Sequence, residues 1–167
     1  MELCYFPKPV LLKACEKVTA FDDELEKTAG EMFRMMYETR GVGLAGPQAG
    51  LGKMIAVINP TGEKDDEIII INPEIIESDG AESMEEGCLS CPGINAQIKR
   101  AKRIKVRYRD VKGNPQTLEA EGLLARIIQH EVDHLQGRTI IDRMSPTAKI
   151  LHKRHISSLK KAYEEGE

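Results

Sequence analysis

QHEVDHLQG, residues 129 to 137, sets two histidines four residues apart with a glutamate directly after the first. On an α-helix four residues advance by about 400°, so His130 and His134 lie on nearly one line and can reach one ion together. Ile127 and Leu123 fall on that same line, one and two turns earlier. Glu131 is rotated by about 100° from His130, beside the ion rather than behind it, where a base acting on a water at a metal belongs. The helix runs from about Gly122 to Gln136 and stops at Gly137, a residue suited to the left-handed conformation that ends helices. HExxH is short enough to arise by accident, but here it sits on a well-signalled amphipathic helix. Two histidines do not complete a catalytic site of the zinc type, which takes three protein ligands and an open position.

Upstream of this helix, Arg103 to Arg109 alternates basic residues with Ile104, Val106 and Tyr108, the pattern of a half-exposed strand. DVKGNP, residues 110 to 115, turns it back into a second strand ending near Glu121. MIAVIN (54 to 59) and EIIIIN (67 to 72) are short β-branched runs joined by the turn PTGEKDD, hence paired strands. From Asp23 to Tyr37 the residues Leu25, Ala29, Met32, Phe33 and Met36 recur at helical spacing, with Asp23 and Glu26 resembling a capping box and Gly41 a stop. Downstream, SPTAKILHKRHISSLKKAYEE begins with Ser145 as cap and Pro146 at the first helical position. Helices and strands mix without βαβ alternation, and no repeat or linker interrupts them. The expected fold is one α+β catalytic domain over residues 1–167: small mixed sheets packed around a central HExxH helix, with an N-terminal and a C-terminal helix.

Composition narrows the function classes. A chain of 167 residues that is 41% hydrophobic can bury one core. A net charge of −3 argues against a dedicated nucleic-acid binder. The opening MELCYFPKPVLLKACEKV holds no long apolar run, so it is no signal peptide, and no stretch approaches the ~18 apolar residues of a membrane span. A cytoplasmic protein without membrane contact is expected, its four cysteines reduced thiols or metal ligands.

The third metal ligand is the open question. HEVDHLQGRTI matches the metzincin pattern through Gly137, but Ile140 stands where the third histidine belongs. Asp142 is a weak substitute, and the later glutamates, at 164, 165 and 167, fall in the tail. Upstream, EEGCLSCPG (85 to 93) offers Cys88 and Cys91, which spacing alone does not separate. CxxC followed by HxxxH also admits a structural zinc module with four protein ligands. Against it stand the 38 residues between Cys91 and His130, a chain with core enough to fold unaided, and a Glu131 without purpose.

GVGLAGPQ, residues 41 to 48, is a glycine-rich loop lacking the lysine and following helix of a phosphate-binding loop. With EGCLS (86 to 90) and QHEVDH (129 to 134), in that order and spacing, it closely resembles the three motifs of the peptide deformylase family. That family removes the N-formyl group from the initiator methionine of newly made bacterial proteins. The resemblance spans Gly41 to Gly137. It implies Cys88, His130 and His134 as metal ligands, Glu131 as general acid/base, and Gln48 with the backbone N–H of Leu89 as oxyanion donors. It implies one divalent metal, Fe2+ in cells, with Zn2+, Ni2+ or Co2+ as substitutes, and a formyl-methionyl peptide or nascent chain as substrate. Val42 and Gly43 in the loop, with Leu123 and Ile127 on the ligand face, are the expected substrate-binding positions, the last two walling an apolar pocket.

Two positions depart from the family pattern. Gly46 stands where the loop has a second alanine, and Cys91 where the residue is usually apolar; the default for Cys91 is a small buried hydrophobe. Seven of the eleven residues from Lys99 to Arg109 are basic, and the last helix carries Lys149, Lys153, Arg154, Lys160 and Lys161. These read first as solvated faces; the resemblance permits a contact between the last helix and ribosomal RNA.

Overall fold

The computed structural model describes residues 1–166; Glu167, one of the tail glutamates, lies outside the described residues. Its first long element, α1 (Asp23–Glu38), buries Ala29, Met32, Phe33 and Met36 of the stripe read from the sequence, with Leu25 half-buried at its start. The cap falls one residue earlier than expected. Asp22 is extended and its carboxylate accepts from the Leu25 amide at 3.0 Å, so Asp23 is already helical.

The strands β1 (Gly43–Ala45), β2 (Ile55–Ile58) and β3 (Ile68–Asp79) follow, then the hairpin of β4 (Glu82–Cys88) and β5 (Cys91–Arg100), and then β6 (Arg103–Arg109) and β7 (Pro115–Glu121). The chain closes with α2 (Gly122–Leu135), the short α3 (Ile140–Arg143), α4 (Pro146–Leu151) and α5 (Lys153–Glu164). Five strands form one sheet in the order β1-β2-β3-β6-β7, and β4 with β5 forms a second. The α+β class stands, but the sheets are not mixed: every ladder is antiparallel, and among the described residues the isolated bridge Glu16–Lys53 is the parallel pairing. Parallel neighbours need long crossovers; consecutive strands here turn straight back on one another, and between the paired β3 and β6 the chain makes the β4–β5 hairpin and returns antiparallel.

Strand β2 explains how the layers assemble. Successive side chains point to opposite faces. Ala56 and Ile58 pack with Ile127, Ile128, Val132 and Leu135 of α2, while Ile55 and Val57 pack with Met32, Phe33 and Met36 of α1. A helix on each face buries the strand twice, which is why its sequence is a continuous apolar run. Strand β3 runs on past the expected Asn72. There the register shifts between Ile71 and Glu74, Asn72 takes φ +52°, and its side chain pairs with the Val18 backbone, accepting and donating at 2.9 Å. Pro73 sits in this irregularity, the place where a sheet tolerates it.

The β4–β5 hairpin escapes the sequence reading, because Pro92–Gly93 looks like a loop. In the fold, Cys91, Ile94, Ala96, Ile98 and Arg100 are buried along β5, and the apolar ones pack with Phe6, Ile140 and Met144. Helix α2 ends where expected. Gly137 has φ +78°, and a Cβ there would meet the Lys13 backbone at 2.7 Å, so no other residue fits. Ser145 caps α4 through the Ala148 amide at 3.1 Å, and the final helix breaks at His152.

Candidate active site

Helix α2 carries His130 and His134, and the end of β4 brings Cys88 against them. Cys88 Sγ lies 3.3 Å from His134 Nε2, and the two histidine Nε2 atoms are 3.3 Å apart. Bonds of about 2.0–2.3 Å to one tetrahedral ion would space these ligands about 3.3–3.6 Å apart. The three side chains therefore already fit a metal. Cys91 is not among them: among the described residues, the His/Cys/Asp/Glu group with ligand atoms this close together is Cys88, His130 and His134.

The histidine tautomer is set from behind. His130 Nδ1 lies 3.0 Å from Glu86 Oε1, so it donates there and turns the Nε2 lone pair to the site. Glu86 is itself held by Arg100 at 2.7 and 2.9 Å and by Arg126 at 2.5 Å. Arg100 also donates to Asp133 at 2.9 Å, and Asp133 accepts from Arg143 at 2.7 and 3.0 Å. All of Glu86, Arg100, Arg126 and Asp133 are buried. Sequence reasoning misses this network. The one hint lies in strand alternation, which turns Arg100 inward on β5.

Burial alone would raise the Glu86 carboxyl, but His130 and Arg100 hold it at about 2, against an ordinary 4.5. Because folding lowers this pKa, its stabilisation is complete above pH 4.5 and drains away as pH falls towards 2. Glu86→Gln keeps the shape and removes the charge that two buried guanidinium groups face. A loss of about 3–5 kcal/mol in denaturant unfolding at neutral pH is expected, with a flatter acid limb below pH 4.5. An unchanged unfolding midpoint would show that the network carries no such weight.

Gln48 sits in the 3-10 turn Gly46–Ala49 and is 1% exposed. Its Oε1 accepts from the Ala45 amide at 2.9 Å, which leaves Nε2 facing Ser90 Oγ at 3.3 Å and Cys88 Sγ at 3.7 Å. Gly46 is enclosed too, since a Cβ there would meet the Lys53 carbonyl at 2.6 Å. The alanine usual at this position thus has no room, and the glycine lets the loop close on its neighbour.

Glu131 is 3% exposed, and burial pushes its carboxyl up, outweighing His130 and His134. Its Oε1 and His134 Nδ1 are the two buried side-chain polar atoms without a hydrogen-bond partner among the described residues. An unsatisfied buried carboxyl oxygen is costly to the fold. Gly43 lies directly against the other oxygen, close enough that a Cβ would collide with it and touch Ile127 Cγ2 at 3.0 Å. The Cys88 thiol is held well below its ordinary value by the neighbouring Cys91 thiol and, against the cost of burial, by His134.

These groups open onto one cavity of about 530 Å³. Val42, Gly43, Gln48, Cys88, Leu89, Leu123, Ile127, His130 and Glu131 line it, and His134 lies buried behind them. Met84 of β4 and Arg126 also line it, two residues that sequence reasoning does not single out. Val42, Met84 and Leu123 form an exposed apolar rim.

The sequence pattern of the polypeptide deformylase family matches residues 1–149. A peptide deformylase of Thermotoga petrophila is 46% identical over 155 residues, covering 92% of this chain and 93% of that protein. One from Acidobacterium capsulatum is 41% identical over 161 residues, covering 95% of each. Among solved structures, peptide deformylase 1B of Arabidopsis thaliana in complex with an inhibitor superposes with a TM-score of 0.96 at 37% identity, over 99% of this chain and 93% of that one. The peptide deformylase of Plasmodium falciparum gives 0.95 at 35% identity over 98% of each chain. With the three motifs in place and likeness extending over nearly the whole fold, this chain belongs to the polypeptide deformylase family.

Proposed function

We propose that this chain, a metal-dependent hydrolase, removes the N-formyl group of an N-terminal formyl-methionine, with Cys88, His130 and His134 as metal ligands and Glu131 as general acid/base. The observation that carries the residue roles is the three-atom cluster at ligand spacing beside a buried, unpaired carboxylate oxygen. A divalent ion held by the three side chains would supply Lewis acidity, acidifying a water and polarising the formyl carbonyl. Glu131 takes the proton of the attacking water at Oε1 and returns it to the leaving amine; its raised pKa suits both halves of that exchange. Gln48 Nε2, held by the anchoring of its own carbonyl, donates to the oxyanion together with the Leu89 amide. Leu123 and Ile127, with Val42 and Gly43 opposite, receive the methionine side chain. Formate release from a formyl-Met peptide, with the metal identified in the same sample, tests the assignment; release absent from metal-loaded protein rejects it.

Acetyl-Met peptides are expected to be poor substrates. The reacting carbonyl must lie among Gln48, Glu131 and the Gly43 backbone, where the formyl hydrogen takes no room and a methyl does. Comparable kcat/KM values for the two acyl groups would refute this account of selectivity.

The metal we propose is Fe2+. Iron lies low in the divalent affinity series, so zinc displaces it whenever available. The iron form is expected to lose activity in air together with its metal, while the nickel form persists. Equal air stability of the two, at equal activity, rejects that reading. A cytoplasmic site of action fits a substrate made by the ribosome. The exposed Lys153, Arg154, Lys160 and Lys161 of α5 supply the charge for a weak contact with ribosomal RNA.

A further inference from the structure

Cys91 lies outside the Cys88–His130–His134 cluster, and its place in the fold gives it another use. Cys88 ends β4 and Cys91 begins β5, and the two are direct partners across the antiparallel ladder, joined by the two-residue turn Leu89–Ser90. Paired residues in such a ladder have Cα atoms about 4.5–5.5 Å apart, inside the ~4.4–6.8 Å span of a disulfide. Their side chains share one face, since Cys88 packs on the apolar cluster that contains Cys91. The two thiols differ in access. Cys88 lines the cavity, whereas Cys91 is fully buried among Phe6, Ile94, Ile140 and Met144. A small oxidant reaches only the first, and the second meets only its neighbour.

We propose that Cys88 and Cys91 form a reversible intrachain disulfide when a peroxide enters the cavity. The sulfur of Cys88 attacks one peroxide oxygen and the O–O bond breaks, giving a sulfenic acid and water. The Cys91 sulfur then attacks the Cys88 sulfur, the S–OH bond breaks, and a second water leaves. In sum two thiols and one hydrogen peroxide give one disulfide and two waters. The buried partner intercepts the sulfenic acid before it reaches the irreversible sulfinic and sulfonic stages. Because the disulfide consumes Cys88, the metal leaves with it; that half of the inference rests on Cys88 being a ligand. Cys4 and Cys15 are also buried but lie outside this hairpin, so they take no part.

Zinc-loaded protein makes the test clean, because zinc undergoes no redox change. It is treated with one equivalent of hydrogen peroxide, its thiols are alkylated, and the peptide holding both cysteines is weighed while a chromogenic chelator reports free zinc. The thiol count should fall from four to two, the peptide should lose two hydrogens, and one equivalent of zinc should appear in step. Dithiothreitol should then restore both thiols and the zinc capacity. In Cys91→Ala, which keeps all three proposed ligands, a second equivalent of peroxide should instead carry Cys88 on from the sulfenic acid to the sulfinic acid, a gain of two oxygens that dithiothreitol does not reverse. The proposal is overturned if wild-type protein accumulates sulfinic Cys88 with Cys91 still free, if all four thiols survive, or if Cys91→Ala recovers as fully as wild type. A disulfide that forms while zinc stays bound would overturn Cys88 as a ligand and leave the disulfide standing.

Discussion

Glu131→Gln is expected to lower turnover by about 10²–10⁴-fold or more while the metal stays bound, since a positioned acid/base contributes on that scale. Glutamine keeps the length and the planar head of glutamate but cannot accept a proton. The fold should not suffer. Glu131 is 3% exposed and its Oε1 has no hydrogen-bond partner, so the substitution removes a buried charge and breaks no bond at that atom. Thermal stability equal to or above wild type is therefore the companion expectation. Formate release, metal content and Tm on one preparation decide the matter. Near-wild-type turnover would falsify the acid/base assignment, and loss of metal would mean that the carboxylate acts on the ligands instead. Gly43→Ala should mimic part of the effect, because the new methyl occupies the space of the other carboxylate oxygen.

Cys88→Ala is expected to abolish stoichiometric metal binding, whereas Cys91→Ala should bind one equivalent and cost about 1 kcal/mol of stability. Cys88 Sγ stands at 3.3 Å from His134 Nε2, and without it two histidine nitrogens remain, one fewer than a stable site requires. Cys91 faces the packed side of the hairpin beside Ile94 and Met144, where the loss of one sulfur leaves a small void. Metal analysis after gel filtration separates the variants. Equal loss in both would support a closed four-ligand site and contradict the geometry of the three-atom cluster.

Much of this protein is legible in local sequence, for local reasons. The stripe of α1, the stop at Gly137 and the cap at Ser145 depend on residues within a turn of one another. Helical spacing alone aligns His130 with His134 and sets Glu131 to one side. The alternation from Arg103 to Arg109 announces a strand with one buried face. The choice of cap is also local: Asp22 rather than Asp23 caps α1, because the extended residue before the helix reaches forward to the Leu25 amide.

The rest depends on contacts far apart in the chain. Strand β3 continues past Asn72 and Pro73 because Val18 engages the irregularity, 54 residues away. The grip of Glu86 on His130 spans 44 residues, and that of Arg126 on Glu86 spans 40. Neither pairing leaves a periodicity to read, since Glu86 and Arg126 by themselves look like ordinary surface charges. Spacing cannot distinguish Cys88 from Cys91, because CxxC presents two equivalent thiols. The tertiary structure separates them by ending β4 at the histidines and starting β5 in the core, so that one sulfur faces the cavity and the other is sealed. Sequence by itself determines which chemical groups this protein carries and the local elements that hold them; which of those groups meet is decided only when helices on both faces of the sheet, and the hairpin beside it, are packed together.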